Sequence, residues 1–286
     1  MSIPARLRKL LQEPGVRLTP STTDALTARL IAEAGFEIAY MGGNATTASR
    51  LGTPDVGLIT MTEMADQAAR IVDATGLPVI VDADTGYGNA LNVQRTIRTF
   101  EATGAAGLHI EDQISPKKCG HFAGKQLISC NEMVGKVKAA LDERNDPDFL
   151  IIARTDAIAV DGFDAAFDRL AAYEEAGADM VMFGPPCQED DLKKAGKLAT
   201  PLACVMDTSG NTPLIPAAEL EPHGVKIAIL PTAVPMAVIA SVRALLSNVR
   251  ETGTLKNIPL ELASFEDYNK VLGLADIQSL ETRYRT

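Results

Sequence analysis

The sequence predicts a single (β/α)8 barrel of the TIM type, followed by a C-terminal helical extension. Eight short apolar runs rich in β-branched residues recur along the 286-residue chain, and each is followed by a longer, alanine-rich stretch. The short runs are apolar throughout instead of alternating, which is typical of parallel strands covered on both faces. The longer stretches repeat apolar residues at i, i+3 and i+4, as amphipathic helices do. Eight such units favour closure into a barrel over an open sheet.

The predicted elements follow an entry helix at residues 3–12, where charged residues alternate with leucine and the pattern stops at Pro14-Gly15. Strands are expected at 16–19, 38–41, 79–82, 107–111, 150–154, 180–183, 202–206 and 225–230. The helices between them are expected at 23–34, 62–74, 91–103, 131–144, 164–176, 189–197, 217–220 and 235–252. Three of these helices close on Gly35, Gly104 or Gly177, which predicts left-handed caps that lead into the next strand. The barrel is assigned residues 1–250 and the extension residues 251–286.

The composition excludes several classes of protein. A net charge of −10, with no extended cluster of Lys and Arg, argues against a partner with a phosphate backbone such as nucleic acid. The four cysteines have no CxxC spacing, so neither a zinc site nor a disulfide framework is predicted. The N-terminus is charged where a signal peptide would be apolar, and no run reaches ~18 apolar residues. We therefore expect a soluble, cytoplasmic protein with no membrane partner.

Acidic residues follow the predicted strands at the end where such barrels carry their chemistry. Asp82 and Asp84 lie two residues apart, so that an extended chain would direct both carboxylates to one face. Asp55 follows the second strand and Glu111 ends the fourth. Oxygen ligands without His or Cys suit Mg²⁺ or Mn²⁺. The alternative is that these acids only cap helices and turns.

Two other polar residues stand in apolar strands. Arg154 needs a partner if it is buried, and its guanidinium suits either a carboxylate of the protein or an anionic substrate. His109 is more typical of a hydrogen-bonded core histidine than of a ligand.

The stretch from Ser115 to Ser129, SPKKCGHFAGKQLIS, has the highest density of reactive groups. Cys119 follows Lys117 and Lys118 and precedes His121, a cationic surround that favours the thiolate. The glycines of this stretch and its lack of a long apolar run predict a loop that can act as a lid. A solvated turn that happens to carry a cysteine is the alternative. Together, a divalent metal, Arg154 and a mobile thiol describe enolate chemistry on a 2-oxoacid.

The phrases KKCGH, VDADTGYGN, LHIEDQ and IIARTDA make the chain resemble the isocitrate lyase/phosphoenolpyruvate mutase superfamily from about residue 18 to the C-terminal helix. Within it, the chain looks most similar to small lyases of the 2,3-dimethylmalate lyase and 2-methylisocitrate lyase type and to carboxyphosphonoenolpyruvate phosphonomutase-like proteins.

The resemblance implies roles for individual residues. It implies that Asp82, Asp84, Asp55 and Glu111 bind Mg²⁺ directly or through water. It makes Cys119 a general acid tuned by His121 and Lys118, Tyr40 a base or hydroxyl partner, and Arg154 a ligand of the substrate. It also implies a homotetramer in which a C-terminal helix is exchanged between subunits, and residues 265–286 match that helical segment.

Three departures from the family pattern lie on the substrate side. Gly42-Gly43-Asn44, the expected substrate-binding turn, replaces Ser-Gly-Gly, and Gly184 replaces a glutamate after the sixth strand. The seventh strand carries Cys204 and Asp207 where Asn and Glu are usual. These changes predict a smaller or less acidic second half of the substrate.

The function expected from these observations is a Mg²⁺-dependent carbon–carbon lyase. It would cleave a 2-hydroxy (alkyl)malate or methylisocitrate-type acid by retro-aldol reaction to a 2-oxoacid such as pyruvate and a second carboxylic acid. The alternatives are an oxaloacetate hydrolase or decarboxylase, a phosphonate enzyme acting on a P–C bond, and a binding barrel without catalysis.

Overall fold

The computed structural model describes residues 1–285, in which eight parallel strands form a ring. The strands are β1 (Arg17–Pro20), β2 (Ala39–Met41), β3 (Val79–Asp82), β4 (Gly107–Glu111), β5 (Leu150–Thr155), β6 (Met180–Phe183), β7 (Leu202–Val205) and β8 (Val225–Leu230). Neighbours along the chain pair in parallel register, β8 pairs with β1, and a bridge between Ser21 and Tyr40 joins the first strand to the second. The predicted (β/α)8 barrel is therefore confirmed.

Helices surround this ring. They are α1 (Ile3–Gln12), α2 (Ala25–Glu33), α3 (Gly43–Leu51), α4 (Met61–Thr75), α5 (Ala90–Ala102), α6 (Cys130–Glu143), α7 (Ile158–Asp161), α8 (Phe163–Glu175), α9 (Glu189–Ala195), α10 (Ala217–Leu220), α11 (Ala233–Thr252), α12 (Phe265–Val271) and α13 (Leu274–Tyr284). The sequence did not predict α3 and α7, which follow β2 and β5 directly.

Local sequence fixes the helix ends. Asp24, Thr60 and Asn89 accept hydrogen bonds from the first turns of α2, α4 and α5, which pairs amide groups that would otherwise lack partners. The predicted glycine caps are confirmed, since Gly35, Gly104 and Gly177 have φ values of 83°, 81° and 98°. Only glycine adopts this left-handed conformation without steric cost.

The core has two layers. Inside the ring, alternate strand residues such as Ile80, Ile152 and Ile227 pack against one another, and Leu7 of α1 closes the bottom of the barrel. Outside the ring, the opposite faces of the strands pack against helices α2, α4, α5, α6, α8, α9 and α10. This arrangement leaves the carboxyl ends of the strands as the open end, where loops can form a site.

Helix α11 follows β8, yet it has no buried residue within the chain. Its 20 residues are long and apolar enough to cross a membrane by length and composition alone, a test that apolar helices of other kinds also pass. The extension beyond it contains α12 and α13, and the guanidinium of Arg29 in α2 donates to the carbonyl of Val271 in α12. Thr286, the last residue of the predicted extension, lies outside the described residues.

Candidate active site

Three aspartates meet at the open end of the barrel. Asp82 is the last residue of β3, and its carboxylate accepts hydrogen bonds from the amides of Gly43 (2.9 Å) and Asp84 (2.9 Å). Asp84 has a φ of 49°, so the extended geometry assumed from the sequence does not continue past the strand. The turn nevertheless keeps both carboxylates together, and Asp55 joins them from the segment between α3 and α4.

Lys117 lies inside this acid cluster. Its Nζ is 2.6 Å from Asp55 Oδ2 and 2.8 Å from Asp84 Oδ1, and only 5% of the residue is exposed. Lys118, the lysine that the sequence assigned to the site, points away from it. Its Nζ contacts the carbonyls of Ala123 and Gly124 in its own exposed loop. The cation in the site is therefore Lys117.

Burial and mutual charge set the protonation of the cluster. Burial, reinforced by Asp82 and Asp55, raises the pKa of Asp84 to about 7 against the attraction of Lys117. Burial acts in the same direction on Asp82, but the charges of His109, Lys117 and Arg154 outweigh it and hold its pKa well below the usual range. Burial disfavours the charged Lys117, yet the surrounding acids raise its pKa well above the ordinary value. The ammonium and at least one carboxylate are thus charged at neutral pH.

A second ion-pair network holds Arg154 at the end of β5. Its guanidinium contacts Glu111 Oε2 at 3.1 Å and Asp156 Oδ1 at 3.0 Å. Its Nε is buried and donates to no group among residues 1–285. The pairing of Arg154 with protein carboxylates is therefore observed, while the role of its unpaired Nε toward an anionic substrate stays a prediction.

Tyr40 and His109 form a buried pair beside Asp82. The Tyr40 hydroxyl is 2.8 Å from His109 Nε2 and 3.5 Å from Asp82 Oδ2. Burial lowers the pKa of His109 to about 4, so its imidazole is neutral at neutral pH. Burial also raises the pKa of Tyr40 well above its ordinary value, so the phenol keeps its proton. The expected hydrogen-bonded core histidine is confirmed, and it contacts a predicted site residue.

The loop that carries Cys119 covers the open end. We call residues 115–124 the lid. Gln113 and Leu127, on either side of the lid, pair in antiparallel fashion and form a short stem. The Cys119 amide donates to the Asp55 carbonyl (3.0 Å), and the Asn44 side-chain amide is 3.4 Å from the thiol sulfur. Cys119 is 6% exposed, so the lid is closed in this structure.

His121 contacts the segment after β7 through both ring nitrogens. Its Nε2 is 2.5 Å from Asp207 Oδ2, and its Nδ1 is 3.2 Å from Ser209 Oγ. The Asp207 oxygen nevertheless accepts no hydrogen bond from the described residues, so this is a close contact between the ring and a carboxylate. Burial lowers the pKa of His121 although Asp207 opposes the shift, which keeps the ring neutral. In this closed form His121 has no free nitrogen for a substrate.

A cavity of about 50 Å³ lies between the lid and the strand ends. The predicted residues Tyr40, Gly42, Gly43, Asn44, Asp55, Asp82, Cys119, His121 and Arg154 line it, together with Lys117. Its remaining wall is mainly apolar and consists of Met182, Pro185, Val205, Ile229, Pro231 and Thr232. The sequence had not singled out these wall residues, although most of them end or follow predicted strands.

The departures from the family pattern have different consequences. A side chain at Gly42 would meet the Tyr40 ring at 2.8 Å, and one at Gly184 would overlap the Asp156 carboxylate. Cys204 is buried, and burial raises its pKa to about 12. Asp207 reaches the site indirectly, through His121.

The donor set fits a hard divalent cation. Asp55 Oδ1 and Glu111 Oε1 are buried and accept no hydrogen bond from the described residues. The four predicted carboxylates outnumber the neighbouring cations, Lys117 and Arg154. Within residues 1–285, no three His, Cys, Asp or Glu side chains converge to hold an ion by themselves. Free carboxylate oxygens such as those of Asp55 and Glu111 are the kind of ligand that Mg²⁺ prefers, and waters and substrate oxygens usually complete its coordination.

Known proteins resemble the chain over nearly its whole length. Residues 7–250 match the family model of phosphoenolpyruvate phosphomutase. The chain is 43% identical over 287 aligned positions to the 2,3-dimethylmalate lyase of Eubacterium barkeri, covering 100% of this chain and 99% of that protein.

Two solved structures share the fold. Oxaloacetate acetylhydrolase in complex with 3,3-difluorooxalacetate has a TM-score of 0.92 and 34% identity, with coverage of 98% of this chain and 96% of that one. Phosphonopyruvate hydrolase in complex with oxalate and Mg²⁺ has a TM-score of 0.90 and 29% identity, covering 99% of each chain.

Proposed function

The chain belongs to the phosphoenolpyruvate mutase/isocitrate lyase superfamily, and we propose that within it the chain is a Mg²⁺-dependent carbon–carbon lyase. Its substrate is a 2-hydroxy acid of the alkylmalate or methylisocitrate type. Retro-aldol cleavage gives a 2-oxoacid, such as pyruvate, and a second carboxylic acid. The similarity to a 2,3-dimethylmalate lyase over the whole chain supports this reaction class.

The observation that carries the proposal is the presence of Cys119 in the same closed cavity as Asp82 and Arg154. A thiol inside a closed cavity can deliver a proton to carbon without competition from bulk water. The acid cluster and the unpaired Nε of Arg154 provide places for the oxygens of an anionic substrate. A protein that only bound a ligand would need no general acid such as the Cys119 thiol in its cavity.

Each group has a defined task in the reaction. Asp82 and Asp84 would hold Mg²⁺, with Asp55 and Glu111 in contact through water, and the ion would polarise the oxygens of the 2-oxoacid half. Lys117 balances the charge of the acids, and Arg154 Nε donates to a substrate carboxylate. The backbone turn of Gly42, Gly43 and Asn44 lines the substrate cavity.

Proton transfers begin at Tyr40 and end at Cys119. The Tyr40 oxygen takes the proton of the 2-hydroxyl group while its own proton passes to His109 Nε2, 2.8 Å away, where the carboxylate of Asp82 stabilises the imidazolium against the cost of its burial. The C2–C3 bond then breaks, C2 becomes the carbonyl of the 2-oxoacid, and the electron pair stays on the leaving acid as its enolate. Cys119 gives its proton to that carbon. His121 and Lys118 hold the lid rather than move protons.

Helix α11 is proposed to pack against another copy of the chain. Val238, Ile239, Val242 and Leu246 lie on one side of this helix and are 45–60% exposed. An apolar helix face of this extent is more stable when a protein surface covers it. We therefore retain a homotetramer with exchanged C-terminal helices as part of the proposal, together with a cytoplasmic location.

A pyruvate-release assay tests the function directly. The panel contains 2,3-dimethylmalate, 2-methylisocitrate, isocitrate and citramalate, each with and without EDTA. We expect pyruvate from at least one alkylated malate or methylisocitrate and its loss with EDTA. Cys119→Ser should lower kcat by about 10²–10⁴-fold, while oxalate with Mg²⁺ still binds. Cys130→Ser is the matched control. Cys130 lies at the start of α6 outside the cavity, so this variant should retain full turnover.

The same assay identifies the competing activity. The likeness to oxaloacetate acetylhydrolase makes oxaloacetate the second substrate to measure, with release of oxalate as the readout. Oxalate release without cleavage of any malate derivative would replace the lyase by a hydrolase. Unchanged turnover of Cys119→Ser would remove the thiol from the mechanism.

A further inference from the structure

A lysine at the base of the lid is buried with all of its donors in use. The side chain of Lys125 is 1% exposed, and its Nζ lies 2.5 Å from the Gly120 carbonyl, 2.5 Å from the Pro185 carbonyl and 3.0 Å from Asp156 Oδ1. An ammonium group has three N–H donors, so these contacts satisfy it completely. Burial of a lysine is costly unless such partners are present.

The three partners belong to three separate segments. Gly120 is the lid residue between Cys119 and His121, Pro185 follows β6, and Asp156 follows β5. Lys125 itself directly follows the lid, where the antiparallel stem resumes. A single ammonium therefore joins the lid tip to the ends of two barrel strands.

Asp156 anchors this contact in the barrel. Its side chain is completely buried and also accepts from Arg154 NH2 (3.0 Å) and Gln113 Nε2 (3.3 Å). Gln113 in turn accepts from the amide of Lys118 and donates to its carbonyl. Hydrogen bonds through Lys125 and Gln113 thus tie the lid backbone on both sides of Cys119 to the carboxylate of Asp156.

The backbone at Gly120 leaves little room for another arrangement. A Cβ atom at this position would lie 2.7 Å from Arg154 NH2 and 2.9 Å from Pro185 Cδ. The lid therefore packs directly against the arginine that faces the substrate cavity. A small displacement of Gly120 would move Cys119, and a 1 Å error in a reacting group is costly for catalysis.

We propose that Lys125 is a positioning residue for the closed lid, which holds Gly120 against Pro185 and Asp156 and thereby places Cys119 and His121 over the cavity. Lys125 touches neither the cavity nor the substrate, and it acts through the lid backbone. For its effect on turnover this role rests on the proposed lyase function, whereas its effect on lid closure does not.

Lys125→Met tests the role because methionine keeps the length of the side chain and removes its three donors. We expect N-ethylmaleimide to alkylate Cys119 at least tenfold faster than in the wild type, as read by mass spectrometry of the Cys119 peptide. Turnover should fall about hundredfold in kcat. Oxalate with Mg²⁺ should bind within threefold of the wild type by calorimetry, because Asp55 and Asp84, and not Lys125, hold the lid residue Lys117 in the acid cluster.

Lys136→Met is the matched control. Lys136 is also a buried lysine that donates to a backbone carbonyl, that of Thr85 (2.9 Å), but it lies on α6 outside the lid. Its loss should lower the thermal unfolding midpoint and leave the alkylation rate of Cys119 within twofold of the wild type. Equal acceleration in both variants would mean that any loosening exposes the thiol, and would overturn the proposal.

The remaining outcomes are equally decisive. If Lys125→Met kept the wild-type alkylation rate of Cys119 and the wild-type kcat, the lid would close without the ammonium group. Loss of oxalate binding in this variant would assign Lys125 to the whole site instead of the lid. Lack of lyase activity in the wild type would reject the proposed function, while the alkylation and oxalate measurements would still decide the role of Lys125.

Discussion

Lys117 and Lys118 are adjacent in sequence but have opposite environments. Lys117 lies among the acids of the cavity, whereas Lys118 bonds to carbonyls of its own loop. The resemblance to the family had assigned Lys118 to the site. Which of two neighbouring lysines faces inward depends on the path of the loop, and the amide of Cys119 fixes that path by donating to the Asp55 carbonyl. Such a contact between distant segments has no signature in the sequence.

The contact of His121 with Asp207 and Ser209 was also hidden, because it joins the lid to a segment far along the chain. By contrast, Cys119, Asp82, Asp84 and Arg154 could be placed at the open end from the sequence. They end or follow apolar strands, and the barrel geometry brings strand ends together. What sequence reasoning missed were the contacts that depend on the path of a loop.

Substitution of His121 distinguishes a lid contact from proton transfer. Glutamine can place a polar group beside Asp207 and Ser209, as the neutral imidazole does, but it cannot exchange a proton. We expect His121→Gln to keep at least about a tenth of the wild-type kcat/KM and His121→Ala to lose about hundredfold. Steady-state kinetics on the best malate derivative would measure both. Equal losses in the two variants would assign His121 a proton-transfer role.

At the scale of elements, the eight strands were predicted to within one or two residues. Their apolar, β-branched runs are bounded by turn residues, and glycine caps mark where three of them begin. Helix α3, GNATTASRL, was not predicted because its glycine and threonines are weak helix formers and its apolar residues show no clear period. Tertiary contacts fix it, since the Gly43 amide at its first turn donates to Asp82.

Helix α3 begins against the acid cluster, which makes Gly43 sensitive to any side chain. A Cβ atom there would lie 3.0 Å from Asp82 Oδ2, 3.1 Å from Asp84 Oδ1 and 3.2 Å from Lys117 Nζ. We expect Gly43→Ala to reduce kcat/KM by about tenfold or more, because the carboxylates and the ammonium must shift. Calorimetric titration with Mg²⁺ and oxalate should show weaker binding.

Gly135→Ala is the control for this substitution. Gly135 lies in α6 and an added Cβ would meet no atom within 4 Å. Alanine there should raise the free energy of unfolding by about 0.5–1 kcal/mol without changing turnover. A Gly43→Ala variant that behaved in the same way would show that the cluster tolerates displacement.

At the scale of the molecule, α11 is an apolar helix that its own barrel does not bury. The sequence pattern predicted a helix here, but it did not show that the chain would leave this helix without a buried residue. The sequence shows only that one face of the helix is apolar. That pattern is the same whether the face is buried within one chain or between two chains.

A charge on α11 tests whether a second copy covers it. Val242→Asp places a carboxylate in the middle of the apolar face, which would have to be desolvated in any interface. We expect a native assembly larger than the 30.4 kDa chain in the wild type and dissociation of that assembly in the variant, measured by light scattering. Ala240→Asp, an exposed position on the opposite side of the same helix, should keep the wild-type mass. A wild type of 30.4 kDa would contradict the predicted assembly.

The ammonium of Lys117 gives the acid cluster an internal counter-ion before any metal arrives. Without it, ionised buried carboxylates would repel one another and oppose closure of the barrel end. With it, the acids keep a partner whether or not Mg²⁺ is bound. Under the proposed Mg²⁺ dependence, removal of the ion by EDTA would abolish turnover and leave the folded fraction unchanged.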